Sequence, residues 1–350
     1  VNAARSTAVA APIPGTDPAG ARRTMLWLGG GLAVSLLLTA ASLLVGTTSV
    51  RTSIAWILSP DVQSNTVLWE IRLPRAVGAW FAGALLGLGG AVAQGLFRNA
   101  LAEPYLLGSA SGAALGVTLS LLTADASITG LGLAGEFGIT GAAFVGAVAA
   151  ICLTVALSRG ALQTSSLLLA GIVVGFVLSA VTSLLLLSSP ESWREMQTFL
   201  LGSTGYVNWR SSVLLAVIFV VCLAPSLLLA RGLDALTLGE DTARSLGVSL
   251  STLRVALLAL LSLATASTVS QVGIIGFVGL VAPHLVRETL HIDQRQFLLA
   301  APICGGCLLQ SADLVSRSVI RPAELPVGIV TACIGGAYLV ALLWRRARHA

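Results

Sequence analysis

The basic side chains of this chain are of one kind. All 20 are arginine, against 15 acidic residues and 3 histidines, and there is no lysine. A P-loop requires a lysine on the phosphates and a Schiff base requires a lysine amine, so neither chemistry is open to this chain. Any ATP-driven work belongs to a separate partner. Few other groups carry chemical potential. Cys304-Gly-Gly-Cys307 has the spacing of a redox or metal pair. All five cysteines lie in apolar segments, which favours small packing residues and leaves no metal site assigned. His284, Glu288 and Asp313 are the titratable groups nearest the apolar runs, where a proton relay would need them. Glu288 and Asp313 are expected near opposite faces, and His284, following Pro283, is expected to satisfy a broken backbone. No serine–histidine pair or metal cluster of catalytic spacing stands out, so no catalytic residue is assigned.

The elements that position these residues are membrane spans. Apolar residues make up 56% of the 350 and charged residues 10%, where a soluble domain carries about 25% charge. The apolar runs are long and do not alternate, which excludes a porin-type barrel. The fold class is therefore all-α and polytopic. Ten spans are expected, at about 25–46, 74–96, 106–122, 138–158, 167–188, 211–230, 254–273, 275–290, 297–316 and 326–344. The split near Gly273–Gly276 leans on the resemblance given below.

Residues 1–24, rich in Ala, Pro and Thr, read as a disordered cytoplasmic tail. Residues 25–350 read as one transmembrane domain. Ten spans put both termini on one side. With both cytoplasmic, thirteen arginines lie inside and seven outside, as the positive-inside rule requires. The net charge of +5 then reflects loop asymmetry and implies no nucleic-acid partner.

One stretch says more than the rest: IRLPRAVGAWFAGALLGLGGAVAQGLFRNALAEPYLLGSASGAALG, residues 71–116. Arg72 and Arg75 flank Pro74 at the mouth of a helix whose Gly83, Gly87 and Gly90 allow close backbone approach. The helix runs into Arg98-Asn99 and a break at Glu103-Pro104. A broken, glycine-lined path flanked by arginines suits an anionic cargo. Pro104 and Pro283 each follow a glycine-bearing span, which suggests inverted repeats of spans two to five and seven to ten. The polar island 231–248 allows Asp234 as an N-cap, Glu240 paired with Arg244 at i, i+4, and sharp turns at Gly239 and Gly247, giving two short helices.

With VGIIGFVGLVAPHLVRETLHIDQR (272–295) and LVSRSVIRPAELPVGIVTACIGGAYLVALLW (314–344), the stretch resembles the FecCD-type permease subunits of ABC importers for iron-siderophore, haem and vitamin B12. Ala100 departs from the proline usual in the family's Asn-Pro-Leu-Ala turn. The resemblance implies a type II importer permease of the cytoplasmic (inner) membrane, working as a homodimer with lipid around it. Its further partners would be two ATP-binding cassette subunits, which use ATP and Mg, and a periplasmic or lipid-anchored substrate-binding protein; this chain itself would bind no cofactor. The implied cargo is a metal chelate, haem ahead of ferric siderophore. Alternatives are a corrinoid, or a secondary transporter driven by an ion gradient.

The resemblance also assigns roles. Leu238, Gly239, Glu240, Ala243, Leu246 and Gly247, within a cytoplasmic coupling loop at 231–254, would contact the ATPase. Asn99, Leu101, Thr164 and Ser165 would form the cytoplasmic gate, although Asn99 and Thr164 equally suit helix caps. Arg72, Arg75 and Arg317 would dock the binding protein's carboxylates, headgroup contact being the plainer alternative, and Arg317 also has Asp313 at i−4. Arg194 would meet the passing anion or pair with Glu191 or Glu195.

Overall fold

The computed structural model describes residues 18–46, 65–124, 132–158, 164–290, 292–320 and 322–347. Among them are twelve α-helices. These are α1 (Pro18–Leu44), α2 (Leu73–Phe97), α3 (Ser109–Ala124), α4 (Gly132–Leu157), α5 (Thr164–Leu186), α6 (Pro190–Leu201), α7 (Trp209–Thr237), α8 (Glu240–Ser245), α9 (Leu250–Val272), α10 (Val278–Thr289), α11 (Gln294–Ser316) and α12 (Val327–Ala347). A π-helical turn, Val67–Arg72, leads into α2, and a 3₁₀ turn, Pro104–Leu107, leads into α3.

Each of the ten expected spans holds one helix, and eight helices have the length and apolarity to cross a membrane. Two are shorter. α3 has 16 residues and α10 has 12, so α10 reaches only about 18 Å against a hydrocarbon core of about 30 Å. The eighth span is thus a half-helix, reached through a non-helical segment at Gly273–Phe277. Phe277 takes a left-handed φ of 68° there. The tail expectation is corrected at its end, since 18–24 already belong to α1; residues 1–17 lie outside the described residues.

α2 is the axis of the bundle, and nearly all of it is buried. It runs antiparallel to α11, with Ala76 beside Gln310 and Gly87 beside Ala301. A Cβ at Gly87 would lie 2.5 Å from the Ala301 carbonyl oxygen. At Gly83 and Gly305 each backbone occupies the space that the other's Cβ would need. Helices in lipid gain little from apolar burial alone, so such backbone contact carries their association. α1 lies alongside α11, tied to it by Gln310 Nε2 donating to Thr39 Oγ1 at 2.9 Å and to α2 by Trp80 Nε1 donating to Ser35 Oγ at 2.9 Å.

The two breaks meet. Glu103 Oε1 accepts the Phe277 backbone N–H at 3.1 Å, and the Pro104 ring fills the space beside Gly279. One interrupted segment supplies what the other's free backbone lacks.

Candidate functional site

The polar groups collect at the two ends of the bundle. At the Glu240 end, α7 stops at Leu238, Gly239 turns the chain with φ 107°, and the six-residue α8 follows. Gly247, at φ 81°, turns it again into α9. Only one short helix forms, because residues 231–237 continue α7. Asp234 is accordingly not the N-cap of its own segment. Its carboxylate accepts the Gln294 N–H at 3.2 Å, tying the end of α7 to the start of α11.

Glu240 organises this end. Its Oε1 lies 2.6 Å from Arg254 Nη2 and 3.8 Å from Arg98 Nη2, and its Oε2 lies 3.8 Å from Arg244 Nη2. The pair with Arg244 is the one expected from spacing. Arg254, 8% exposed at its side chain, was legible in the sequence only as a loop charge. Arg98 closes α2 in the left-handed region with φ 49°, so Glu240 joins the end of α2 to α8 and the start of α9. Around this fixed point Leu238 and Leu246 are 65% and 62% exposed, while Ala243 is buried. Open space surrounds Gly239 and Gly247. Leu238 and Leu246 thus stand exposed on either side of α8.

The expected gate residues lie in two turns, one after α2 and one at the start of α5. Asn99 and Leu101 are exposed in the turn after α2, where Asn99 Oδ1 accepts the Leu101 N–H at 2.9 Å. Thr164 begins α5, and Ser165 beside it is exposed.

The Arg75 end corrects an expectation. Arg72, Arg75 and Arg317 are 5%, 8% and 3% exposed. Arg75 Nη2 lies 2.9 Å from Asp313 Oδ1 and its Nη1 2.8 Å from Glu324 Oε2. Arg317 Nη2 lies 2.7 Å from Asp313 Oδ2 and 2.6 Å from Ser42 Oγ. Thr204 Oγ1 donates to Asp313 Oδ1 at 2.5 Å, and Arg72 Nη1 donates to the Leu43 carbonyl at 2.6 Å. A docking surface needs free guanidinium forks. These are committed inside the chain, because Asp313 is 1% exposed and buried charge demands opposite charge. The three arginines therefore bind α1, α2 and α11 together. Burial presses the Arg317 pKa down, and the neighbouring Asp313 carboxylate opposes that. Thr204, Glu324 and Ser42 gave no signal in the sequence, whereas the Asp313–Arg317 spacing did.

Arg194 is exposed on α6 and forms no ion pair among the described residues, neither with Glu191 nor with Glu195. His284 does not mend the break before it: its Nδ1 lies 3.0 Å from Tyr338 Oη, which donates to Glu288 Oε2 at 3.2 Å. Glu103, in the turn between α2 and α3, has its pKa raised by burial, against the opposing Phe277 N–H.

Residues 32–345 match the model of the FecCD transport family. The chain belongs to that family. Vitamin B12 import system permease proteins BtuC of Salmonella paratyphi A and Salmonella typhi are each 35% identical over 337 residues, covering 93% of this chain and 97% of theirs. A solved structure described as an inward-facing conformation of a metal-chelate type ABC transporter superposes with a TM-score of 0.80 at 29% identity, over 91% of this chain and 98% of that one. PsaBC from Streptococcus pneumoniae in complex with Fab shares the fold, at a TM-score of 0.53 and 15% identity over 76% and 90%. The FecCD chain is thus a membrane permease of the type II ABC importer fold.

Proposed function

We propose that this FecCD permease is the membrane subunit of an ATP-driven importer, working as a homodimer with its path between two copies. Two ATP-binding cassette subunits hydrolyse ATP with Mg, and a binding protein delivers cargo at the Arg75 end. The observation that carries this reading is the Glu240-anchored turn presenting Leu238 and Leu246. Gly239, Glu240, Ala243 and Gly247 shape that turn and seat it in the ATPase. The half-buried Glu240–Arg254 pair makes it a rigid lever, so motion of the ATPase reaches α9 and, through Arg98, α2. The Glu240 end and both termini then face the cytoplasm. The gate is formed by Asn99, Leu101, Thr164 and Ser165 meeting their counterparts across the dimer.

The cargo is a metal chelate, haem or a ferric siderophore. A corrinoid is the second reading, favoured by the 35% identity to the vitamin B12 permeases. Arg194, exposed on α6 and without an ion-pair partner among the described residues, is the cation that meets the anionic groups of either cargo. The test is the complete complex in liposomes: the matching cargo on its binding protein stimulates ATP hydrolysis and enters the lumen. Uphill transport by the lone chain on a proton or sodium gradient would overturn the reading.

A further inference from the structure

The cleft between α4 and α7 has features that transport leaves unused. Both helices pack on α9, and a cavity of about 540 Å³ opens between them. That is within the roughly 300–1,000 Å³ of ligand sites. Its lining is sorted by depth. Arg210 and Gln271 stand toward the Arg75 end, Ser267 and Leu214 lie one helical turn further in, and Ile218 a turn beyond that, with Phe144 facing them from α4. Ser267 is 1% exposed, and its Oγ has no hydrogen-bond partner among the described residues. An unpaired buried hydroxyl is uncommon in a folded chain and is met by water or by a bound molecule once its neighbours give way. Arg210 is exposed at the start of α7 and has no ion-pair partner among the described residues. It follows Trp209, whose indole donates to the Trp69 carbonyl at 2.8 Å. Tryptophan and arginine at a span's end mark the headgroup level. An adjoining cavity of about 400 Å³ shares Gln271 with the first and adds the carboxylate of Glu195.

We propose that this cleft holds one phospholipid with a zwitterionic, amine-bearing headgroup. The phosphate sits on Arg210 and the ammonium turns toward Glu195. An ester or glycerol oxygen meets Ser267, and an acyl chain lies over Phe144, Leu214 and Ile218. Inorganic phosphate would satisfy Arg210 and leave the apolar end empty; a hydrocarbon alone would leave Arg210 and Ser267 unmatched. Only a molecule with a charged head and an apolar tail matches both ends.

The test is native mass spectrometry of the full chain, extracted in mild detergent and exchanged against micelles of phosphatidylethanolamine or phosphatidylglycerol. One phosphatidylethanolamine per chain is expected to survive dilution that strips loosely held lipid. Arg210→Gln removes a charge-assisted contact and should lower retention about tenfold. Leu214→Trp, at a position 44% exposed, blocks the tail end from a site that tolerates bulk and should lower retention similarly. Glu195→Gln should erase the preference for phosphatidylethanolamine. Thermal melting of each variant confirms that it is folded. Equal retention by the wild type, Arg210→Gln and Leu214→Trp overturns the proposal. So does equal binding of phosphatidylglycerol by the wild type, a mass increment of detergent or phosphate only, or a chain dimer that carries no lipid.

Discussion

Glu240 and Arg254 are 14 residues apart in sequence and 2.6 Å apart in space, and Arg98 approaches the same carboxylate from the end of α2. Glu240→Ala strands a guanidinium that is almost fully buried, at a cost of about 2 kcal/mol or more. The expected result is loss of cargo-stimulated ATP hydrolysis in the assembled complex, with a smaller loss for Arg244→Ala, whose partner distance is longer and whose side chain is exposed. Hydrolysis rates of the two variants, compared at equal complex content, check this order.

Leu238→Asp with Leu246→Asp changes two side chains that face solvent in the single chain. Thermal stability in detergent should stay within about 0.5 kcal/mol of wild type, while co-purification of the ATPase subunits collapses. Retained co-purification would place the ATPase contact elsewhere.

At the other end, Asp313→Ala removes the carboxylate between Arg75 and Arg317. Stranding a buried charge of this kind costs roughly 3–5 kcal/mol. The expected outcome is a strongly lowered thermal midpoint and poor yield, seen in a detergent melt. Arg75→Glu should likewise fail through folding, before any effect on binding-protein affinity can be read.

Arg194→Ala should leave the melting profile unchanged, since the side chain is exposed and unpaired among the described residues. Uptake of an anionic chelate should fall several-fold. Full uptake would remove Arg194 from the path.

Glu103 predicts a pH dependence. Its pKa in the folded chain is raised above 4.5 by burial, so the fold favours the protonated acid. The contribution is fully present below the ordinary carboxylate value and is lost as pH rises through the raised one. Stability of the wild type should therefore decline over that window. Glu103→Gln, which cannot ionise, should show a flatter profile in melts taken from acidic to neutral pH.

The ten helices were legible in the sequence because apolar length is a local property. The half-length of α10 was not, since its apolar first half, Val278–Pro283, continues the apolar run that precedes it, and the contact of Phe277 with Glu103 that marks its start comes from another element. Gly239 and Gly247 announced their turns, and Glu240–Arg244 its spacing. Arg254 and Arg98 gave no such sign, because their partner lies on another element. The same reason hid the partners of Arg72 and Arg75, whereas Arg317 showed Asp313 at i−4 but not Ser42. Arginine at a span's end looks like a surface group until the carboxylates of Asp313 and Glu324 and the carbonyl of Leu43 arrive from elsewhere in the chain.

Where Gly83 meets Gly305, main chain rests against main chain with no side chain between. Such a seam has no rotamers to rearrange and no slack in which to slide. α2 and α11, with α1 clasped to them, must travel as one solid block, and any change of facing has to be made by the helices at its margins.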